Sequence, residues 1–170
     1  MKSRKTEKSI DVRSENYGIV HKDGKLFYNG YHGGLCVLSL DDDSITQLVN
    51  TTLSQYSSIA IWSDNLYFIN KDNSVTCCDL KGAVKWKLEQ KTFLTNARGI
   101  TVMDDEGRVY VSSYVSNNIV VISPDGNKHR VMLSVNDGLI GPQTLFFDRK
   151  KSKLLIANQY DDAFLYDVSK

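Results

Sequence analysis

One short phrase recurs four times along this chain: Lys25-Leu26-Phe27-Tyr28-Asn29, Asn65-Leu66-Tyr67-Phe68-Ile69, Arg108-Val109-Tyr110-Val111-Ser112 and Lys153-Leu154-Leu155-Ile156-Ala157. Leu26, Leu66, Val109 and Leu154 stand 40, 43 and 45 positions apart, and a period in that range confines a chain to a few repeat architectures. Each phrase is preceded by an apolar stretch, at residues 17–20, 59–62, 99–103 and 144–147. The two are joined by turns such as Lys22-Asp23-Gly24 and Asp104-Asp105-Glu106-Gly107, hairpin connections in which Gly is free to take positive φ. A polar break follows each phrase, then a third apolar run at 35–38, 75–78, 119–122 and 163–166. After Lys81-Gly82 or Pro124-Asp125-Gly126 comes a fourth, seen at 45–49, 84–88 and 128–133.

β-Branched and aromatic residues dominate these runs and no long stretch has a 3.6-residue period, so they read as strands a, b, c and d of a repeating unit. A four-stranded sheet cannot cover both of its own faces, and units of this length bury them by stacking around an axis. The chain is therefore expected to be all-β, a β-propeller of four-stranded antiparallel blades with four blades present. The units run at about 14–55, 56–96, 97–141 and 142–170, after a lead-in at 1–13. The last unit ends just after strand c, and Lys8-Ser9-Ile10-Asp11-Val12 is a candidate for its missing outer strand, which would remove an exposed edge. The alternative is four blades of a six-bladed ring.

Composition narrows the function classes. Of 170 residues, 41% are hydrophobic and 24% charged, with 21 basic against 20 acidic side chains, so no global field draws the chain to nucleic acid or anionic lipid. The apolar runs are strand-sized, too short for a membrane-spanning helix, and the basic start Met1-Lys2-Ser3-Arg4-Lys5 has no apolar stretch behind it. A cytoplasmic protein is expected, with Cys36, Cys77 and Cys78 as reduced, structural thiols. Cys77 and Cys78 are neighbours on a strand and must point to opposite faces. His21, His32 and His129 stand alone, and Asp41-Asp42-Asp43 reads as a solvated turn without the Gly and Glu of a calcium loop. No nucleophile motif, P-loop or dinucleotide fingerprint is present, so neither a catalytic role, a metal nor a cofactor is expected.

The third unit carries a more specific pattern: Asn96-Ala97-Arg98-Gly99-Ile100-Thr101-Val102, Glu106-Gly107-Arg108-Val109-Tyr110-Val111-Ser112 and Asn117-Asn118-Ile119-Val120-Val121-Ile122-Ser123-Pro124-Asp125-Gly126. It resembles an NHL repeat; the fit is fair in unit four and loose in units one and two. The arrangement is similar to the C-terminal propellers of tripartite-motif (TRIM) proteins. That resemblance implies a partner-recognition part of a RING-type ubiquitin ligase, whose RING and B-box zinc spacings this chain lacks.

In such a fold the b–c and d–a connections emerge on one face, where binding residues are usually carried. The b–c loops are 29–34, 70–73, 113–118 and 158–162, and the d–a loops 50–57, 91–98 and 134–143. Tyr31, Tyr114 and Tyr160 lie in three of the b–c loops, with His32 next to Tyr31 and Asn117 and Asn118 closing the third. Exposed tyrosine suits an interface anchor; packing of the rings between blades is the competing reading. Arg98 is the candidate basic contact for a carboxylate or phosphate, against a structural ion pair. A protein or peptide ligand is expected first. RNA is second, because the loops offer chiefly Lys71, Lys91 and Arg98 against Asp72, Asp137, Asp161 and Asp162. A propeller enzyme of the lactonase or lyase type is third.

Overall fold

The computed structural model describes residues 8–103, 106–160 and 162–168. The expected turn residues Asp104 and Asp105, loop residue Asp161, the basic start at 1–7 and the last two residues lie outside them. Among the described residues there are fifteen strands in four antiparallel sheets, each formed by consecutive strands in simple order. Blade one holds β1 (Ile19–Lys22), β2 (Lys25–Asn29), β3 (Leu35–Ser39) and β4 (Ile45–Val49). Blade two holds β5 (Ala60–Trp62), β6 (Asn65–Ile69), β7 (Val75–Asp79) and β8 (Val84–Leu88). Blade three holds β9 (Ala97–Met103), β10 (Arg108–Ser113), β11 (Asn118–Ile122) and β12 (His129–Leu133). Blade four holds β13 (Thr144–Asp148), β14 (Lys153–Ala157) and β15 (Ala163–Asp167). The helical pieces among the described residues are two 3-10 turns, Tyr31–Gly33 and Val135–Asp137. The protein is a four-blade β-propeller.

Strand alternation assigns each side chain to a neighbour. In every second strand the middle residue points forward, toward the next blade, and its two flanking apolar residues point back. Phe27, Tyr67 and Tyr110 are the forward residues of blades one to three, 1%, 0% and 3% exposed. They are flanked in register by Val20 and Val37, by Ala60 and Cys77, and by Thr101 and Val121. The backward residues Leu66 and Phe68 meet blade one, Val109 and Val111 meet blade two, and Leu154 and Ile156 meet blade three. Cys77 and Cys78 therefore belong to different interfaces, forward and backward, as their adjacency requires. Each d–a loop drops one leucine into the interface it crosses, Leu53, Leu94 and Leu139, all fully buried.

At the rim the outer strand of one blade closes on the c–d turn of the next. Leu48 abuts Gly82, and the Trp86 indole covers Gly126 while its Nε1–H donates to the Pro124 carbonyl at 2.9 Å. Gly126 has φ +74°, and a methyl group there would lie 2.6 Å from the indole. Trp86 thus closes the outer strand of blade two onto the rim of blade three.

The two ends differ. Residues 8–12 form no strand of blade four, whose sheet has three strands. Ile10 and Val12 instead lie on the backward side of blade one, against Leu26, Tyr28, Cys36 and Leu38, and Lys8 pairs with Asp43. Burying two apolar side chains on an apolar sheet face outweighs extending a distant edge. On blade four the forward column is Phe146, Leu155 and Leu165, aligned across the three strands and 63%, 40% and 64% exposed. No core cluster among the described residues joins blade four to blade one.

Candidate binding site on the loop face

Polar side chains at the ends of the second strands tie the two families of loops together. Asn29, buried at the end of β2, donates to the carbonyls of Ser54 and Ser57 at 2.8 and 2.9 Å and accepts from the Tyr31 N–H at 2.9 Å. Asn70 donates to the Ser74 and Thr76 hydroxyls and accepts from the Thr51 hydroxyl at 3.2 Å. The Ser113 hydroxyl accepts from the Thr95 N–H at 2.8 Å and donates to its carbonyl at 2.9 Å. A buried polar group must be satisfied, so each of these residues fixes a d–a loop beside a b–c loop.

Two cation–aromatic groups result. Tyr31 sits at φ +52° in its 3-10 turn, a left-handed conformation unusual for tyrosine. It is held there because its carbonyl accepts from the Leu53 N–H at 3.0 Å. Its ring meets Tyr17 edge-on at 5.9 Å, has the exposed His32 ring at 4.0 Å, and carries the Lys71 ammonium 5.9 Å from its centroid. The second group is built on Arg98, in β9. Its guanidinium lies over the Tyr114 ring at 3.6 Å and over the Tyr56 ring at 4.8 Å, and donates to the Gln143 side-chain carbonyl at 2.9 Å. The Nε of Arg98 is buried without a hydrogen-bond partner. Among the described residues Arg98 forms no ion pair, the competing reading of its role; two tyrosine rings and Gln143 hold its guanidinium instead.

Between these groups lies a depression of about 370 Å³ lined by Tyr31, Tyr56, Lys71, Asn73, Thr95 and Asn96, with Ser54 and Gln55 at its edge. No carboxylate lines it. The nearby Asp72 is turned to Lys87, 3.1 Å away. Partial burial pushes the Asp72 carboxyl up, but hydrogen bonds from Ser74 and Lys87 outweigh this and hold it below its ordinary value. The lining of the depression is therefore one ammonium, two tyrosines and uncharged polar groups, with Arg98 behind Tyr56.

Tyr31, His32, Arg98 and Tyr114 belong to the two cation–aromatic groups, whereas three other expected contacts take no part in them. Asn117 is a brace, its side-chain carbonyl accepting from the Gly141 N–H at 2.7 Å. Asn118 is buried at the start of β11, where it pairs with Ser113, so its position in the strand ladder removes it from the surface. Tyr160 is 69% exposed and belongs to neither cation–aromatic group. Tyr56 was missed: its loop was placed on the right face, and an aromatic residue in that loop was the available signal. His21, His32 and His129 remain apart, and no group of three metal-ligating side chains occurs among the described residues.

No protein-family model matches the chain, and no curated protein does. Solved structures do. In a nidogen/laminin complex the matched chain superimposes with a TM-score of 0.76 at 18% identity, over 89% of this chain and 60% of that one. Virginiamycin B lyase from Staphylococcus aureus, a catalytically inactive H270A variant with quinupristin, gives 0.67 at 19% identity, over 90% of this chain and 55% of that one. The computationally designed Ika4 protein gives 0.70 at 10% identity, over 95% and 96%. These likenesses define the class as β-propeller. The chain spans 60% and 55% of the first two proteins.

Proposed function

We propose that this propeller is a non-catalytic recognition module that grips an acidic protein segment in the depression between Tyr31 and Arg98. The observation that carries this reading is a hollow with no acid in its lining, where Lys71 rests on Tyr31 and Tyr56 also meets the Arg98 guanidinium, which stacks on Tyr114. An arginine stacked in this way is pre-organised to meet a carboxylate with little further loss of side-chain freedom. Tyrosines around it add apolar area with low conformational entropy cost. The matched chain of the nidogen/laminin complex supports protein recognition by this type of fold.

The NHL-like pattern of unit three supports a narrower proposal: the module selects partners for a TRIM-type ubiquitin ligase, the transfer chemistry residing in a RING domain outside these 170 residues. Three unpaired, buried thiols fit a reducing, cytoplasmic setting.

The test uses fluorescence anisotropy with three labelled probes: a glutamate-rich peptide, a lysine-rich peptide and a single-stranded RNA. The glutamate-rich peptide should bind, and K71E/R98Q should weaken it at least about tenfold, ~1.4 kcal/mol. Tighter binding of RNA, with affinity falling steeply as salt rises, would replace the protein ligand by RNA. Equal affinity of the variant and the parent chain would remove the site.

A further inference from the structure

We infer that this chain associates head to tail with a second copy of itself, the forward face of blade four docking on the backward face of blade one. The rule of packing inside the molecule defines the complement. Three times in succession the forward column of one blade is buried by the backward residues of the next. Phe146, Leu155 and Leu165 continue that column in the same register, yet they lie in solvent. Below them the row Asp148, Lys153 and Asp167 carries an ion pair, Lys153 to Asp167 at 2.5 Å. The exposed column is thus an apolar strip bordered by charge, the anatomy of a contact surface.

The matching surface is the backward side of blade one. Ile19 and Ile45 are 61% and 38% exposed there, in register with the buried Tyr28 and Leu38. A groove of about 390 Å³ runs between β4 and the N-terminal segment, lined by Ile10, Asp11, Val12, Arg13, Asp43 and Ile45. The segment itself occupies the place of a preceding blade's outer strand. Leu48 and Trp86 lie over the c–d turns of blades two and three; Lys8 lies on the c–d turn of blade one, paired with Asp43.

Blade four lacks a fourth strand in its sheet, and the partner copy's residues 8–12 stand where that strand belongs relative to the blade it would pack on. One association therefore covers the apolar column and the open edge of β15, two surfaces that otherwise invite uncontrolled pairing. Contact of two different patches makes the interface heterologous, so it closes into a ring or continues.

Sedimentation velocity on two surface variants tests this. F146D/L165D blocks the forward face and I19D/I45D the backward face; all four positions are exposed, and circular dichroism with a single thermal transition confirms that each variant folds. The parent chain should sediment at twice the mass of one chain or more, and each variant alone at the mass of one chain. An equimolar mixture of the two variants, which retains one intact pair of faces, should recover a species of two chains. A parent chain that stays at one chain throughout a dilution series overturns the inference and leaves the face to a further blade or an unrelated partner. Persistence of the two-chain species in I19D/I45D also overturns it, because blade four would then be pairing with itself.

Discussion

Trp86 and Gly126 show how a single contact between blades constrains both partners. Gly126 combines a left-handed backbone with an indole where its Cβ would be, so Gly126→Ala should cost about 2 kcal/mol and lower Tm by roughly 5 °C. In a double-mutant cycle, W86L should cost less in the Gly126→Ala background than in the parent, because a smaller side chain relieves the clash; additive effects would mean that φ alone is at fault. The thiols give a second expectation. Burial pushes Cys77 up to about 11 and Cys78 up to about 12. An acid whose folded pKa exceeds its unfolded value stays protonated longer in the folded state, so its contribution is intact below the unfolded value. That contribution is lost above about pH 9, at ~1.4 kcal/mol per pH unit for each thiol, until the folded pKa is reached. Urea titrations should show constant stability from pH 7 to about 9 and a decline above it that Cys77→Ser/Cys78→Ser reduces. The opposed directions of these two cysteines were legible, since adjacency on a strand leaves no other arrangement. The left-handed Tyr31 was not, because its φ depends on a hydrogen bond to Leu53, 22 positions later.

Strand β14 separates buried from bare within one residue. Leu154 is fully buried against blade three whereas its neighbour Leu155 faces out. Leu154→Ala should therefore cost about 2–5 kcal/mol, and Leu155→Ala less than about 1 kcal/mol, measured by chemical denaturation below the concentration at which copies associate. Similar costs would mean that the strand is one residue out of register. The strands themselves could be read closely from the sequence. Strands buried on both faces read as continuous apolar runs, as in β11, and the expected outer runs at 45–49 and 84–88 coincide with β4 and β8. Innermost strands were read less well, β1 beginning at Ile19 rather than residue 17. The Tyr17 N–H still donates to the Asn29 carbonyl and the Gly18 carbonyl still accepts from the Asn29 N–H, so both residues bond to one partner outside the regular ladder. The three loop leucines escaped notice because a single apolar residue in a polar loop has no period to betray it.

Taken blade by blade, the molecule is most heavily buried where blades two and three meet. Every residue of β6 but the first is buried, as is every residue of β11, while β4 and β15 are largely exposed. Repeat architectures lose structure from their less supported units first. Hydrogen exchange should accordingly be slowest in β6, β7, β10 and β11 and fastest in β15 and β4; uniform protection of all four blades would contradict this order. The repeat and its blades were legible because they repeat. Whether residues 8–12 would complete blade four was not, since that choice balances contacts between distant ends against the nearby apolar face of blade one. The loop-face site was half legible: the face follows from strand order, but the stacking of Arg98 on Tyr114 needs coordinates.

The glycine turns at the rim have a geometric corollary. Sheets that fan out from an axis leave wedge-shaped gaps at their outer edges, and here the turn glycine of blade two meets the Leu48 backbone directly whereas that of blade three meets an indole. Shim thickness at the circumference thus helps set how sharply the sheets rotate past one another, and hence how many sectors a full turn can accommodate.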